Sequence, residues 1–190
     1  MTTLAVLMLF WCALTLWVES EGESRLRQFG TGTRSALLVY DADPIYNLDE
    51  QVCEAFGQAL VEKGWRVTIA TVPAAKILDD SVFQLYLLVA NTYNWAPDRA
   101  MARFTESRNW KNEDVVALTI GAGSTSRSKR VFDELLKAQS IRLIDSKTLW
   151  LLRPNDETRM DERNIDVARG LARDWALHLS HQMQSTRPAD

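Results

Sequence analysis

The chain has 190 residues, 46% of them hydrophobic and 25% charged, with 22 Lys and Arg against 25 Asp and Glu for a formal net charge of −3. That length fits one domain at roughly 100–200 residues each, and a chain of this size buries about 70% of its unfolded surface without a disulfide or metal staple. The composition excludes a disordered, collagenous or cysteine-stapled chain, and the near balance of charge leaves no basic stripe for a nucleic-acid partner.

Residues 1–18 carry no charged side chain. As a helix they rise roughly 27 Å, against a hydrocarbon core of ~30 Å. The segment reads first as a membrane anchor, with Trp17 at the interface and Arg25, Arg27 and Arg34 following on the cytoplasmic side. Two readings stand beside it. One is a signal segment cleaved near Val18-Glu19-Ser20, which makes the protein exported, although no basic residue precedes the apolar run. The other is a true start further downstream. Residues 19–34 are polar, include Gly30 and Gly32, and read as a tether. Residues 35–184 form the folded domain, and 185–190 a frayed tail. Cys12 lies in the apolar segment and Cys53 in an expected helix, so no disulfide framework is expected.

Within the domain, short apolar runs alternate with helical periodicity. Residues 35–40 (Ser-Ala-Leu-Leu-Val-Tyr) read as a strand buried on both faces. Asn47 with Glu50 three residues on predicts a capping box, and Val52, Phe56, Ala59 and Leu60 repeat at helical spacing up to Lys63-Gly64. Residues 65–72 are rich in β-branched side chains and predict the second strand, and residues 85–90 the third. Pro97 predicts the first turn of a helix running to about Ser107. Residues 115–120 form the fourth strand, followed by a helix near 128–139. Residues 141–152 form the fifth strand, interrupted around Asp145-Ser146. A last helix begins within 156–163 and carries Ile165, Ala168, Leu171, Ala172, Trp175 and Leu179 as its apolar stripe. This pattern predicts an α/β, three-layer, doubly wound domain on a five-stranded parallel sheet.

Ligands in such sheets sit beyond the carboxyl ends of the strands, where strand order reverses. Three loops therefore hold the candidate residues. The first is Asp41-Ala42-Asp43-Pro44-Ile45-Tyr46-Asn47. The second, Asn91-Thr92-Tyr93-Asn94-Trp95-Ala96-Pro97, sets two aromatic rings in a polar loop, where they suit a planar ligand or a partner surface. The third, Gly121-Ala122-Gly123-Ser124-Thr125, permits close backbone approach and adds hydroxyl donors.

With these loops in view, residues 35–183 resemble the flavodoxin family. The loops at Asn91 and Gly121 look like its second and third flavin-side loops, and residues 140–157 are similar to a bacterial flavodoxin-like subgroup. The resemblance implies strand order 2-1-3-4-5, a non-covalent FMN, and electron transfer or reduction of a quinone-like acceptor. On that implication Tyr93 and Trp95 stack on or cover the ring. Asn91, Thr92, Asn94, Gly121, Ala122, Gly123, Ser124 and Thr125 line it, and Asn47 approaches the phosphate. The redox donor and acceptor are not specified by the sequence. The first loop departs from the family's Ser/Thr/Gly-rich phosphate cradle, because Asp41 and Asp43 repel an anion. A flavin-free interaction module on the same scaffold, presenting Tyr93 and Trp95 to a partner, is the alternative. A receiver-like phosphotransfer domain, with Asp41 and Asp43 around Mg²⁺ and Lys147 nearby, is a minor one, weakened by Asn91 where the phosphoacceptor Asp belongs. His178 and His181 read as surface helix residues rather than metal ligands, and no metal site is expected.

Overall fold

The computed structural model describes residues 2–79 and 83–185. In chain order the elements are α1 (Thr2–Val18), β1 (Leu26–Phe29), β2 (Arg34–Tyr40), α2 (Leu48–Glu62), β3 (Trp65–Thr71), α3 (Val72–Ala75), β4 (Leu85–Tyr93), β5 (Ala96–Pro97), α4 (Arg99–Ser107), β6 (Glu113–Gly121), α5 (Ser126–Ala138), β7 (Ile141–Trp150) and α6 (Asn164–Ser185). Of the tail expected at 185–190, Ser185 is the last residue of α6, and residues 186–190 lie outside the described residues.

The five expected strands form the parallel core of the sheet in the order β3-β2-β4-β6-β7, which is the 2-1-3-4-5 order. Alternation along each strand sends side chains to two cores. Ala36, Leu38, Leu87, Val116 and Leu118 face α2 and α6. Leu37, Val39, Leu88, Val115 and Ala117 face α3, α4 and α5. Both faces are apolar because both are covered, which is why the strands are continuous hydrophobic runs in sequence. Helix α6 is pinned by polar contacts as well as packing. Trp65 Nε1 donates to Ser180 Oγ at 3.1 Å, and Trp175 Nε1 donates to Asp145 Oδ2 at 2.8 Å.

The structure departs from the sequence expectations in four places. The 19–34 segment is not a free tether: β1 pairs antiparallel with β3, and Glu23 and Arg25 bond to Thr71 across the strand ends. The outer edge of β3 would otherwise offer unpaired amides, and β1 covers them. The capping box at Asn47 does not form. Asn47 makes no side-chain cap bond, and its Oδ1 accepts instead from Gln51 Nε2 at 2.6 Å. Pro97 belongs to β5 rather than to a helix. The N-cap of α4 is Asp98, whose carboxylate accepts from Met101 N at 2.7 Å. Proline has no N–H to give, so a strand edge suits it, and the aspartate takes the cap. In β7 the irregularity falls at Ile144, which is passed over between the Val115–Leu143 and Val116–Asp145 pairs.

Helix α1 extends from the body with Leu4, Leu7, Phe10, Trp11 and Trp17 exposed, and Val18 buried at its end. Among the described residues, no helix is long and apolar enough to cross a membrane. Cys12 is exposed, Cys53 is buried, and they are not paired. His178 and His181 are exposed on α6.

Phe56 on α2 is fully buried and meets Trp175 of α6 edge to face, with ring centroids 5.4 Å apart. Replacing Phe56 by Ala removes the contact that joins these helices and is expected to cost about 3–5 kcal/mol of stability, read as a lower midpoint in urea denaturation. A loss below about 1 kcal/mol is the contrary result.

Candidate functional site

Three loops meet at the carboxyl ends of β2, β4 and β6, and each arrives for a local reason. The first leaves β2 at Asp41 and must reach α2. Asp43 Oδ1 accepts from Ile45 N at 2.7 Å and Tyr46 N at 2.8 Å, which curls the chain. The second is a hairpin, with Thr92 and Tyr93 paired to Pro97 and Ala96. Its two tip residues, Asn94 and Trp95, have φ of 50° and 60°, the sign that two-residue hairpins of this twist require. Asparagine tolerates that conformation; a tryptophan there is strained. The third loop passes Thr92 so closely that a Cβ on Gly121 would lie 2.5 Å from Thr125 Cγ2 and 3.0 Å from Thr92 Cβ, so only glycine fits. The chain after β7 holds this loop from the other side, with Leu151 N donating to Gly121 O and Leu152 N to Ala122 O.

Between these loops lies a cavity of about 220 Å³, lined from the first loop by Asp43, Ile45 and Tyr46, from the second by Asn91, Thr92 and Tyr93, and from the third by Gly121 and Ala122, with Leu48, Ile120 and Leu151 completing the wall. Tyr93 is part of this wall, and its hydroxyl donates to Asp43 Oδ2 at 2.6 Å. Burial, then that hydrogen bond to a carboxylate, raises the phenol well above its usual range.

Of the residues singled out in the sequence, Asn91, Thr92, Tyr93, Gly121 and Ala122 come together on this wall. Asn47, Asn94, Trp95, Gly123, Ser124 and Thr125 are not among the lining residues. Trp95 is exposed at the hairpin tip, and Thr125 is buried, accepting from Trp150 Nε1 at 2.8 Å. Asn91 lines the wall but spends its side-chain amide on the protein, donating to Asp41 O at 2.9 Å and Asp49 Oδ2 at 3.0 Å. Sequence reasoning missed Ile45, Tyr46, Leu48, Ile120 and Leu151. The apolar pair Ile45-Tyr46 inside an otherwise polar turn was the available signal. Thr92 Oγ1 is buried and has no hydrogen-bond partner. Lys147 lies over the Trp175 ring at 5.2 Å, on the α6 face. Among the described residues, no group of three or more His, Cys, Asp or Glu is placed to hold a metal ion.

Behind the cavity wall sit three buried carboxyls. Asp98 accepts from Asn91 N at 2.8 Å as well as from Met101 N; burial, then the Asp41 charge, pushes it up to about 8. Asp49 accepts from Asn91, Asp43 N and Glu50 N, yet burial outweighs those bonds and raises it to about 6. Asp41 is raised by burial to about 6, with the Gly22 N–H opposing.

No family model and no curated protein matches this sequence. Solved structures match the fold. An archaeal flavodoxin superposes with a TM-score of 0.53 at 11% identity, covering 77% of this chain and 99% of that one. Flavodoxin 1 from Bacillus cereus superposes with a TM-score of 0.53 at 10% identity, covering 76% of this chain and 98% of that one. An NAD(P)H:quinone oxidoreductase from Methanothermobacter marburgensis gives a TM-score of 0.54 at 10% identity, covering 78% of this chain and all of that one. The fold of this chain is flavodoxin-like.

The buried carboxyls set a pH dependence. Each binds its proton more tightly folded than unfolded, where an aspartate titrates near ~3.9. Their contribution to stability is complete below that value and is lost as pH rises through about 6 for Asp41 and Asp49 and about 8 for Asp98. The urea midpoint is therefore expected to fall between about pH 5 and about pH 8.5, and Asp98→Asn to flatten the upper part of that fall. A midpoint that is level or rises over the same range contradicts the assignment.

Proposed function

We propose that this protein is a flavodoxin-like redox protein that holds a flat redox ring, of flavin or quinone type, in the cavity at the carboxyl ends of β4 and β6. The observation that supports this is the convergence of Thr92, Tyr93, Gly121 and Ala122 on one slot at the sheet's strand-order reversal, where open α/β sheets bind ligands. In this reading Ile45, Tyr46, Ile120 and Leu151 give the ring apolar contact, and the Gly121 turn brings backbone to its edge. The ring supplies the electron chemistry; the protein supplies position and polarity. Tyr93 holds its phenolic proton on Asp43 and fixes the spacing of the first two loops.

FMN is the cofactor that the flavodoxin resemblance implies. Its phosphate is poorly matched to the first loop, where Asp43 and Asp49 already take the amides of Asp43, Ile45, Tyr46 and Glu50. Two features favour the second reading, a flavin-free interaction module. The 220 Å³ cavity lies below the ~300–1,000 Å³ usual for ligand sites, and Ile45, Tyr46 and Trp95 are exposed around it.

Titration with the purified chain is expected to quench the fluorescence of riboflavin, FMN or both, with a raised melting temperature at excess ligand. Tyr93→Ala is expected to weaken that binding at least ~10-fold, a loss of about 1.4 kcal/mol. A colourless protein with no quenching and no melting shift by either flavin favours the interaction module.

We also propose that α1 attaches the domain to a membrane, on the strength of its uncharged, exposed apolar surface. Full-length chain is expected to stay with membranes through a carbonate wash, and its complete release contradicts the attachment.

A further inference from the structure

Resting on the reading of the cavity as a redox-ring slot, we propose that Asp43, backed by Asp49, makes the site select its ring ligand in the unphosphorylated form, riboflavin over FMN. The argument starts from the sequence. Between β2 and α2 the chain reads Asp41-Ala42-Asp43-Pro44-Ile45-Tyr46-Asn47, with no Gly, Ser, Thr, Lys or Arg. A loop that receives a phosphate offers free backbone N–H groups at a helix N-terminus. Here the protein has installed its own anions on those groups. Ile45 N and Tyr46 N donate to Asp43 Oδ1, Asp43 N donates to Asp49 Oδ2 at 3.0 Å, and Glu50 N donates to Asp49 Oδ1 at 2.7 Å. Asp49, with Glu50, already complements the positive end of α2.

Asp43 is not free to swing away. Its second oxygen is held by the Tyr93 hydroxyl at 2.6 Å, so the carboxylate is fixed on the cavity wall. Several cations of the chain are engaged by other carboxylates. Arg25 and Arg27 reach Glu50, Arg27 also reaches Glu54, Lys76 pairs with Glu21, and Arg99 with Glu19. Arg153 stacks on Trp150 at 4.8 Å. A phosphate entering the first loop therefore meets the Asp43 and Asp49 carboxylates, with which no cation pairs among the described residues, while a neutral ring meets Ile45, Tyr46, Ile120 and Leu151. Like charges at this range repel strongly in a partly desolvated site. Asp43 is thus a specificity-determining residue that acts by occupying the place of the phosphate.

The test is a pair of fluorescence titrations on the full chain at about pH 8, where a free phosphate monoester is fully ionised. Riboflavin is expected to bind at least ~10-fold tighter than FMN at low salt. Raising salt from about 20 mM to about 500 mM is expected to narrow that ratio at least threefold, because salt screens the repulsion. Asp43→Asn keeps an acceptor for Ile45 N and Tyr46 N, removes the charge, and is expected to narrow the ratio at least fivefold. Should that variant fail to fold by circular dichroism, the salt series on the unaltered chain decides. FMN binding as tightly as riboflavin, or tighter, overturns the inference and leaves the redox reading standing. A ratio indifferent to both salt and Asp43→Asn overturns the role of Asp43. Binding of neither flavin overturns the redox reading and this inference with it.

Discussion

Asn91 is where the three ligand-side loops are tied together. Its backbone N–H goes to Asp98, the cap of α4, and its side-chain amide reaches both the carbonyl of Asp41 at the end of β2 and the carboxylate of Asp49 in α2. One residue at the end of the central strand therefore sets the distance between two helices and two loops. Every partner in this knot is buried, so each bond forms in a medium where an unpaired donor or acceptor is expensive. The arrangement of the cavity wall follows from it, because Thr92 and Tyr93 are the next two residues along β4.

The knot is acidic, and that shapes what the site can accept. Asp41, Asp49 and Asp98 are held near one another without a compensating cation in the described hydrogen bonds, and burial raises all three. The chain answers part of this cost with backbone amides, which is the same resource that a phosphate-binding loop reserves for its ligand. The amides of Asp43, Ile45, Tyr46 and Glu50 are thus spent on the chain's own carboxylates. The second and third loops spend no carboxylate on the slot, and Gly121 lets them approach within contact distance.

The tryptophans divide along the same line. Trp65, Trp110, Trp150 and Trp175 each place the indole N–H on an internal acceptor, and so belong to the scaffold. Trp95 stands exposed on a hairpin tip with a left-handed φ, a conformation that gives it no packing in return. Trp11 and Trp17 lie exposed on α1. A count of seven tryptophans in a chain of this length thus has three separate physical meanings.

The strand–helix alternation, the five parallel strands and the three loops at their carboxyl ends were legible in the order of residues alone. Continuous apolar runs such as residues 85–90 have few other solutions than a doubly covered sheet. Charge in the first loop was also legible, since Asp41 and Asp43 need no coordinates to repel an anion. Only the tertiary structure decided which loop residues share a wall. Leu151 enters it from beyond β7 and Ile45 from the far side of β2, and Asn47, Ser124 and Thr125 leave it because nearer partners or solvent claim them. It also turned part of a polar segment into β1, since an exposed strand edge on β3 was free to pair. The physical reason is common to both. Periodicity encodes which face of an element is buried, while hydrogen-bond partners fifty residues apart, such as Tyr93 and Asp43, are chosen by proximity that exists only once the sheet is assembled.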